Sequence, residues 1–152
     1  MIFEKTDTLP PLLQNELLEA WDSEYPSVLH HHSDPFNQYL QSLVNLQHTV
    51  VKDDDQNFCA WYFKFDRHDE RQFGIIVYKN YPRNGLGKVF IENAKLTNKP
   101  PFAWVVDSNK YKKEDETHYI SPLNFYLKNG FSLTHERWGS EKIKTVKITW
   151  HK

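Results

Sequence analysis

Apolar residues recur at two spacings along this chain, and the changes of spacing mark out its elements. From Leu12 to Trp21, Leu13, Leu17 and the Ala20–Trp21 pair return every three to four positions behind Pro10 and Pro11. That pattern predicts an amphipathic helix with a proline in its first turn. A second helix is predicted from Ser33 or Asp34, with Pro35 at its first position. Phe36, Tyr39, Leu40, Leu43 and Val44 form its stripe, and Asn37, Gln38, Gln41 and Ser42 its wet side. From His48 the period drops to two. HTVVKD (48–53), FCAWYFKFDR (58–67) and RQFGIIVYK (71–79) read as strands, joined by turn clusters at 53–57 and 67–70 that are short enough to require antiparallel neighbours. VFIENAKL (89–96) returns to a helical period, and PFAWVVD (101–107) is a near-continuous apolar run of the kind buried on both faces. Ser121 and Pro122 open a last helix, LNFYLKN, which Gly130 ends. FSLTHERW and KIKTVKITW form a closing hairpin about Gly139-Ser140. With a short strand at Ile2–Thr6 the order is β-α-α-β-β-β-α-β-α-β-β. This is an α+β fold, a mixed but mostly antiparallel central sheet flanked by helices with one parallel crossover, in a single domain over 1–152.

Composition then removes several classes of function. With 19 basic and 20 acidic residues the net charge is −1, so no bulk field draws a nucleic acid or an anionic membrane. Hydrophobic residues at 39% and aromatics at 15% are enough to build a core. The apolar run at 102–106 is far short of the ~20 residues that a spanning helix needs, and the N-terminus lacks the pattern of a signal peptide. One cysteine excludes an internal disulfide framework and suits a reducing compartment, so a cytoplasmic location is expected. Cys59 shares its parity with Trp61, Phe63 and Phe65 and reads as buried. His30, His31 and His32 are adjacent and share no helix face, and no metal site is expected. Exposed edge strands and the aromatic content leave room for a homodimer.

Chemistry concentrates in two stretches. In the first, a strand runs through NYPRNGLGK into a helix, which exposes backbone N–H groups at the positive end of a helix dipole. Gly85 and Gly87 let the backbone approach a phosphate, and Arg83 and Lys88 supply cations on either side. It is not a P-loop, because Pro82 and Val89 stand where that motif needs Gly and Ser/Thr; nor is it a dinucleotide fingerprint, because Phe90 takes the place of its third small residue. The second stretch is SPLNFYLKNGF at 121–131. The segment 109–118 between them is highly charged and aperiodic; it reads as a solvated loop that also stands where it could cover an acceptor.

Together, Pro82-Arg83-Asn84-Gly85-Leu86-Gly87, the pattern Tyr126-Leu127-Lys128-Asn129-Gly130-Phe131 and the element order resemble the Gcn5-related N-acetyltransferase (GNAT) superfamily over nearly the whole chain. The resemblance implies a GNAT-like sheet and acetyl-CoA as co-substrate without a metal. Its pyrophosphate would lie on the amides of Arg83, Asn84, Gly85, Leu86, Gly87 and Lys88, its pantetheine along Val77 and Tyr78, with Asn109 as a further contact. Tyr126 would protonate the departing thiolate, a task that suits a phenol of ordinary pKa about 10. The resemblance further implies direct attack by a primary amine, on a small molecule or a peptide, in a ternary complex. The family's leading Arg or Gln falls on Pro82, with arginine one place later, and RQFGIIVY lacks the usual acidic base. That leaves ordered water, Asp107 or His118 to take the amine proton. A non-catalytic acyl-CoA-binding or regulatory domain on the same scaffold is the alternative.

Overall fold

Two-residue periodicity is realised as seven strands: β1 (Ile2–Thr6), β2 (Val44–Lys52), β3 (Phe58–Arg67), β4 (Glu70–Val77), β5 (Pro101–Val106), β6 (Ser132–Gly139) and β7 (Lys144–Thr149). The helices are α1 (Pro11–Glu24), α2 (Ser33–Gln41), α3 (Leu86–Lys95) and α4 (Leu123–Lys128), with a 3-10 turn at Ser27–Leu29. This computed structural model describes residues 1–29, 33–78, 81 and 85–152. The element order matches the one expected, and the strands form one sheet in the order β1-β2-β3-β4-β5-β7-β6. Every pairing is antiparallel except β4 with β5, which the α3 crossover makes parallel. β7 lies between β5 and β6, so the final hairpin enters the sheet by its second strand.

Local turn chemistry sets the meander. His68, at φ +55°, sits in the two-residue loop that pairs Arg67 with Glu70. Asp53 Oδ1 accepts the N–H groups of Asp55 and Asn57, both at 2.9 Å, and closes the turn before β3. Gly74 stands opposite Phe63, whose ring lies 2.5 Å from where a Cβ would project. The absence of a side chain there lets the ring lie flat across β4.

Two details differ from the periodicity. The second helix stops at Gln41, and Val44 opens β2 with 60% of its surface exposed rather than closing the helical stripe. A register shift between Val44 and Gln47, with Asn45 at φ +54°, lets β2 start early and follow the ten-residue β3 to its end. A second shift pairs Lys52 with Phe58 but Val51 with Ala60. Cys59 is the extra residue of that bulge. It is buried, as expected, but it joins Ala60 and Tyr62 on one face, while Trp61, Phe63 and Phe65 occupy the other.

Each face of the sheet carries its own core. On one, Leu13, Leu17 and Ala20 of α1 and Phe36 and Leu40 of α2 cover Val50, Trp61, Phe63, Phe65 and Ile76. Its centre is aromatic: Trp61 stacks on Phe63 at 4.5 Å and meets Phe36 edge-on at 6.1 Å. On the other, Phe90, Ile91 and Ala94 of α3 and Tyr126 of α4 cover Tyr62, Phe73, Val105 and Ile148. No described helix is long and apolar enough to cross a membrane.

His48 is the polar member of the first core, 2% exposed and stacked on Trp61. Its Nδ1 accepts the Trp61 indole N–H at 3.0 Å, which fixes the neutral tautomer with the proton on Nε2. Burial pushes the imidazole down to about 4. The unfolded chain therefore takes up this proton first, so the contribution is intact above about pH 6.5 and lost as pH falls toward 4. The full window corresponds to about 3 kcal/mol. Urea midpoints should drop between pH 7 and 5, and His48→Gln, which does not titrate, should flatten that slope. Equal slopes would place the acid sensitivity elsewhere.

Candidate active site

β4 and β5 stay in register only at Arg71–Pro101 and Gln72–Phe102, although β4 continues to Val77 and β5 to Val106. Beyond Gln72 the two strands part. Arg71 N–H points across to the Pro100 carbonyl at 3.0 Å, and Tyr78 N–H points the other way, to the Cys59 carbonyl at 2.9 Å. Strand alternation therefore turns the backbone groups of Phe73, Ile75 and Val77 toward the gap. Val77 lies on that edge. Tyr78 faces the other way: its N–H belongs to β3 and its carbonyl accepts Tyr81 N–H at 2.8 Å.

After β4 the chain is tied down once more before α3. The Tyr81 hydroxyl donates to Asp53 Oδ2 at 2.9 Å, and this bond to a carboxylate pushes the phenol up to about 12. Arg83 and Asn84, with Pro82, lie outside the described residues, as do His30, His31 and His32. The chain resumes at Gly85 with φ +72°, and among the described residues beyond its chain neighbours no atom lies within 4 Å of an added Cβ. The first bond of α3 runs from Val89 N–H to the Gly85 carbonyl at 3.1 Å, so the amides of Leu86, Gly87 and Lys88 precede the helical ladder. No acidic residue sits in that turn. Leu86 is buried in the core and offers its amide alone, and Lys88 is exposed.

Gly87 has a different reason to be glycine. An added Cβ would stand 3.0 Å from the Phe125 ring of α4, so the start of α3 and the first turn of α4 are in close contact. This contact joins the two sequence motifs, because the next residue is Tyr126. The pattern Tyr126…Gly130-Phe131 is a helix stop: Phe131 N–H returns to the Tyr126 carbonyl, Gly130 N–H to that of Leu127, both at 3.2 Å, with Gly130 at φ +92°. The Phe131 ring packs edge-on to Tyr126 at 5.7 Å, the apolar contact that accompanies this cap. Tyr126 is 5% exposed and also meets Phe73 of β4 at 6.0 Å.

Two residues the periodicity did not single out join it. Tyr25, one residue past α1, donates its hydroxyl to the Ile75 carbonyl at 3.4 Å, on the open edge of β4. Tyr119 packs edge-on to Tyr25 at 6.4 Å. Burial raises all three phenols. Tyr119 raises Tyr25 and Tyr126 further, so ionising one opposes ionising the next. All three are protonated at neutral pH. The only sequence signal for Tyr119 is an aromatic residue next to a charged run.

That run is better held than a solvated loop. It forms a small hairpin, bridged at Lys112 and His118, with Lys113 N–H bonded to the Thr117 carbonyl at 2.8 Å. Ser27 N–H donates to the Lys112 carbonyl at 2.8 Å, and Lys113 pairs with Glu24 at 3.4 Å with both side chains largely covered. On the other side, Lys144 N–H donates to the Tyr111 hydroxyl at 3.0 Å. Asn109 anchors its base: Oδ1 accepts Ser121 N–H at 2.7 Å and its carbonyl accepts the His118 Nδ1–H at 2.9 Å. Asn109 and His118 thus have structural partners, and Asp107 lies exposed just past β5. No group of three potential metal ligands occurs among the described residues.

No family model and no curated protein matches the sequence. Solved structures do. An aminoglycoside 6'-N-acetyltransferase complexed with coenzyme A superposes with a TM-score of 0.68 at 11% identity, over 98% of this chain and 96% of the other. A GNAT-family protein from Bacteroides thetaiotaomicron gives 0.64 at 14%, over 100% and 88%. A spermidine N-acetyltransferase variant from Vibrio cholerae gives 0.63 at 13%, over 99% and 94%. The fold of this chain is the GNAT fold.

The cap at Gly130 is directly testable. Ala there meets nothing closer than 3.6 Å, so Gly130→Ala isolates the backbone cost, about 1–2 kcal/mol for a left-handed non-glycine residue. Denaturant unfolding should report that loss. No loss would mean the turn places Tyr126 without help from the glycine.

Proposed function

We propose that the chain is an acetyl-CoA-dependent N-acetyltransferase acting on a primary amine, of a small molecule or a peptide, by direct transfer in a ternary complex. One observation carries this reading: beyond Gln72 the edge of β4 that faces β5 has no strand neighbour, and α3 opens with no side-chain cap, with a buried phenol against the same strand. Gly85, Leu86, Gly87 and Lys88 would hold the pyrophosphate of acetyl-CoA, since no described atom beyond its chain neighbours crowds Gly85 and the amides there precede the ladder. Arg83 and Asn84 extend that cradle in this reading. The edge groups of Ile75 and Val77 suit the amides of pantetheine, as an added strand would. The coenzyme A complex of an aminoglycoside acetyltransferase of this fold supports the choice of donor.

The bound donor supplies an acetyl group activated as a thioester. Tyr126 gives its phenolic proton to the departing sulfur; burial keeps that proton in place at working pH. Edge N–H groups of β4 polarise the thioester carbonyl. Tyr25 and Tyr119 wall the acceptor side, and Asp107, directly or through ordered water, takes the amine proton.

The non-catalytic acyl-CoA-binding alternative has one observation in its favour. The Tyr126…Gly130-Phe131 pattern is fully accounted for as a helix cap, so its presence does not require proton transfer.

Two experiments test the reading: the first its coenzyme A site, which the alternative shares, the second its catalysis. Coenzyme A should raise the melting temperature by mass action, and Gly85→Val should weaken that shift by straining the left-handed position and filling the space beside it. No stabilisation of folded protein at millimolar coenzyme A would remove the cradle. With a true acceptor, Tyr126→Phe should lower kcat by ~10²-fold while coenzyme A affinity holds. An unchanged kcat would make Tyr126 a packing residue.

A further inference from the structure

A second cavity, of about 540 Å³, opens beside α3 on the half of the sheet formed by β1, β2 and β3. Strand register builds its floor. Lys5 pairs with Thr49 and Thr49 with Tyr62, so these three side chains form one row across the sheet, and Gln47 and Lys64 form part of the next. Asn93 of α3 completes the wall and accepts the Lys64 ammonium at 3.1 Å. Asn93 lies six residues beyond Gly87, roughly 9 Å along the helix axis from the pyrophosphate cradle.

The row has donors in excess. The Tyr62 hydroxyl beneath it is fully buried, with no surface open to the cavity. Neither Lys5 nor Lys64 pairs with a carboxylate among the described residues. The nearby Arg71 is already committed to Asp66 at 2.7 Å and to Asn45 and Gln47. Burial and then the charges of Arg71 and Lys5 disfavour the Lys64 ammonium. The exposed Asp7 at the rim is the acidic group of the lining.

We propose that this cavity is a binding site for a small oxyanion, a carboxylate or phosphate group, held by Lys5, Lys64 and the hydroxyl of Thr49. An oxyanion accepts from each of these donors and converts a repelling pair of lysines into a favourable one. The site is separate from the proposed acetyl-CoA cradle and does not depend on it.

The test titrates inorganic phosphate and, separately, citrate against the full chain at constant ionic strength, with chloride as the control, following the melting temperature. Saturable stabilisation beyond chloride is expected for at least one anion; which one responds distinguishes a phosphoryl from a carboxylate ligand. Lys64→Met should weaken affinity at least fivefold. Tyr62→Phe should leave it intact, because that hydroxyl has no surface open to the cavity. Gly85→Val should leave the anion response intact. The proposal is overturned if neither anion exceeds chloride, if Lys64→Met binds as well as the parent, or if only Gly85→Val abolishes the response.

Discussion

The parting of β4 from β5 governs the rest of the molecule. Hydrogen bonding between them ends at Gln72 and Phe102, so several backbone groups in the middle of the sheet have no strand neighbour. Central backbone that is buried must be satisfied by something. Here the Tyr25 hydroxyl meets the Ile75 carbonyl, and the remaining edge faces the gap. The sheet crosses the gap through that two-pair ladder alone, and on its far side β7 pairs with β5 along its length, from Phe102–Thr149 to Val106–Thr145. The same divergence leaves room for Tyr126 and Phe73 to pack beneath it.

Two short sequence patterns that look independent turn out to be one contact. Gly87 has no side chain because Phe125 lies over it, and Phe125 is held there by the helix that Gly130 and Phe131 terminate. The cap also fixes the depth of Tyr126. A substitution at either glycine is therefore felt at both the helix N-terminus and the phenol, which makes the two non-additive.

Much of this was legible in the sequence. The element order follows from period, proline and glycine signals, which act over a few residues, and the structure reproduces it. What was not legible depends on partners distant in the chain. The early start of β2 reflects the length of β3, and the reassignment of Cys59 to the other face reflects one bulge against β2. At the candidate site, the glycine loop and Tyr126 were visible because each is a local backbone device. Tyr25 and Tyr119 were not, since 94 residues separate them and only the folded sheet brings their rings to 6.4 Å. The direction of the Tyr78 N–H, toward β3, is likewise set by strand pairing and not by local sequence.

The hairpin at 109–118 has a mechanical consequence. It is fastened to the end of α1 through Ser27 and Glu24, and to β7 through Tyr111 and Lys144. These anchors stand on opposite sides of the gap, so the hairpin is a strut between two half-sheets joined in the middle by a short ladder. The strut holds the half-sheets at a second point beside that ladder. Adding or deleting residues at its tip, near Asp115 and Glu116, leaves the anchors alone; moving an anchor shifts one half-sheet against the other.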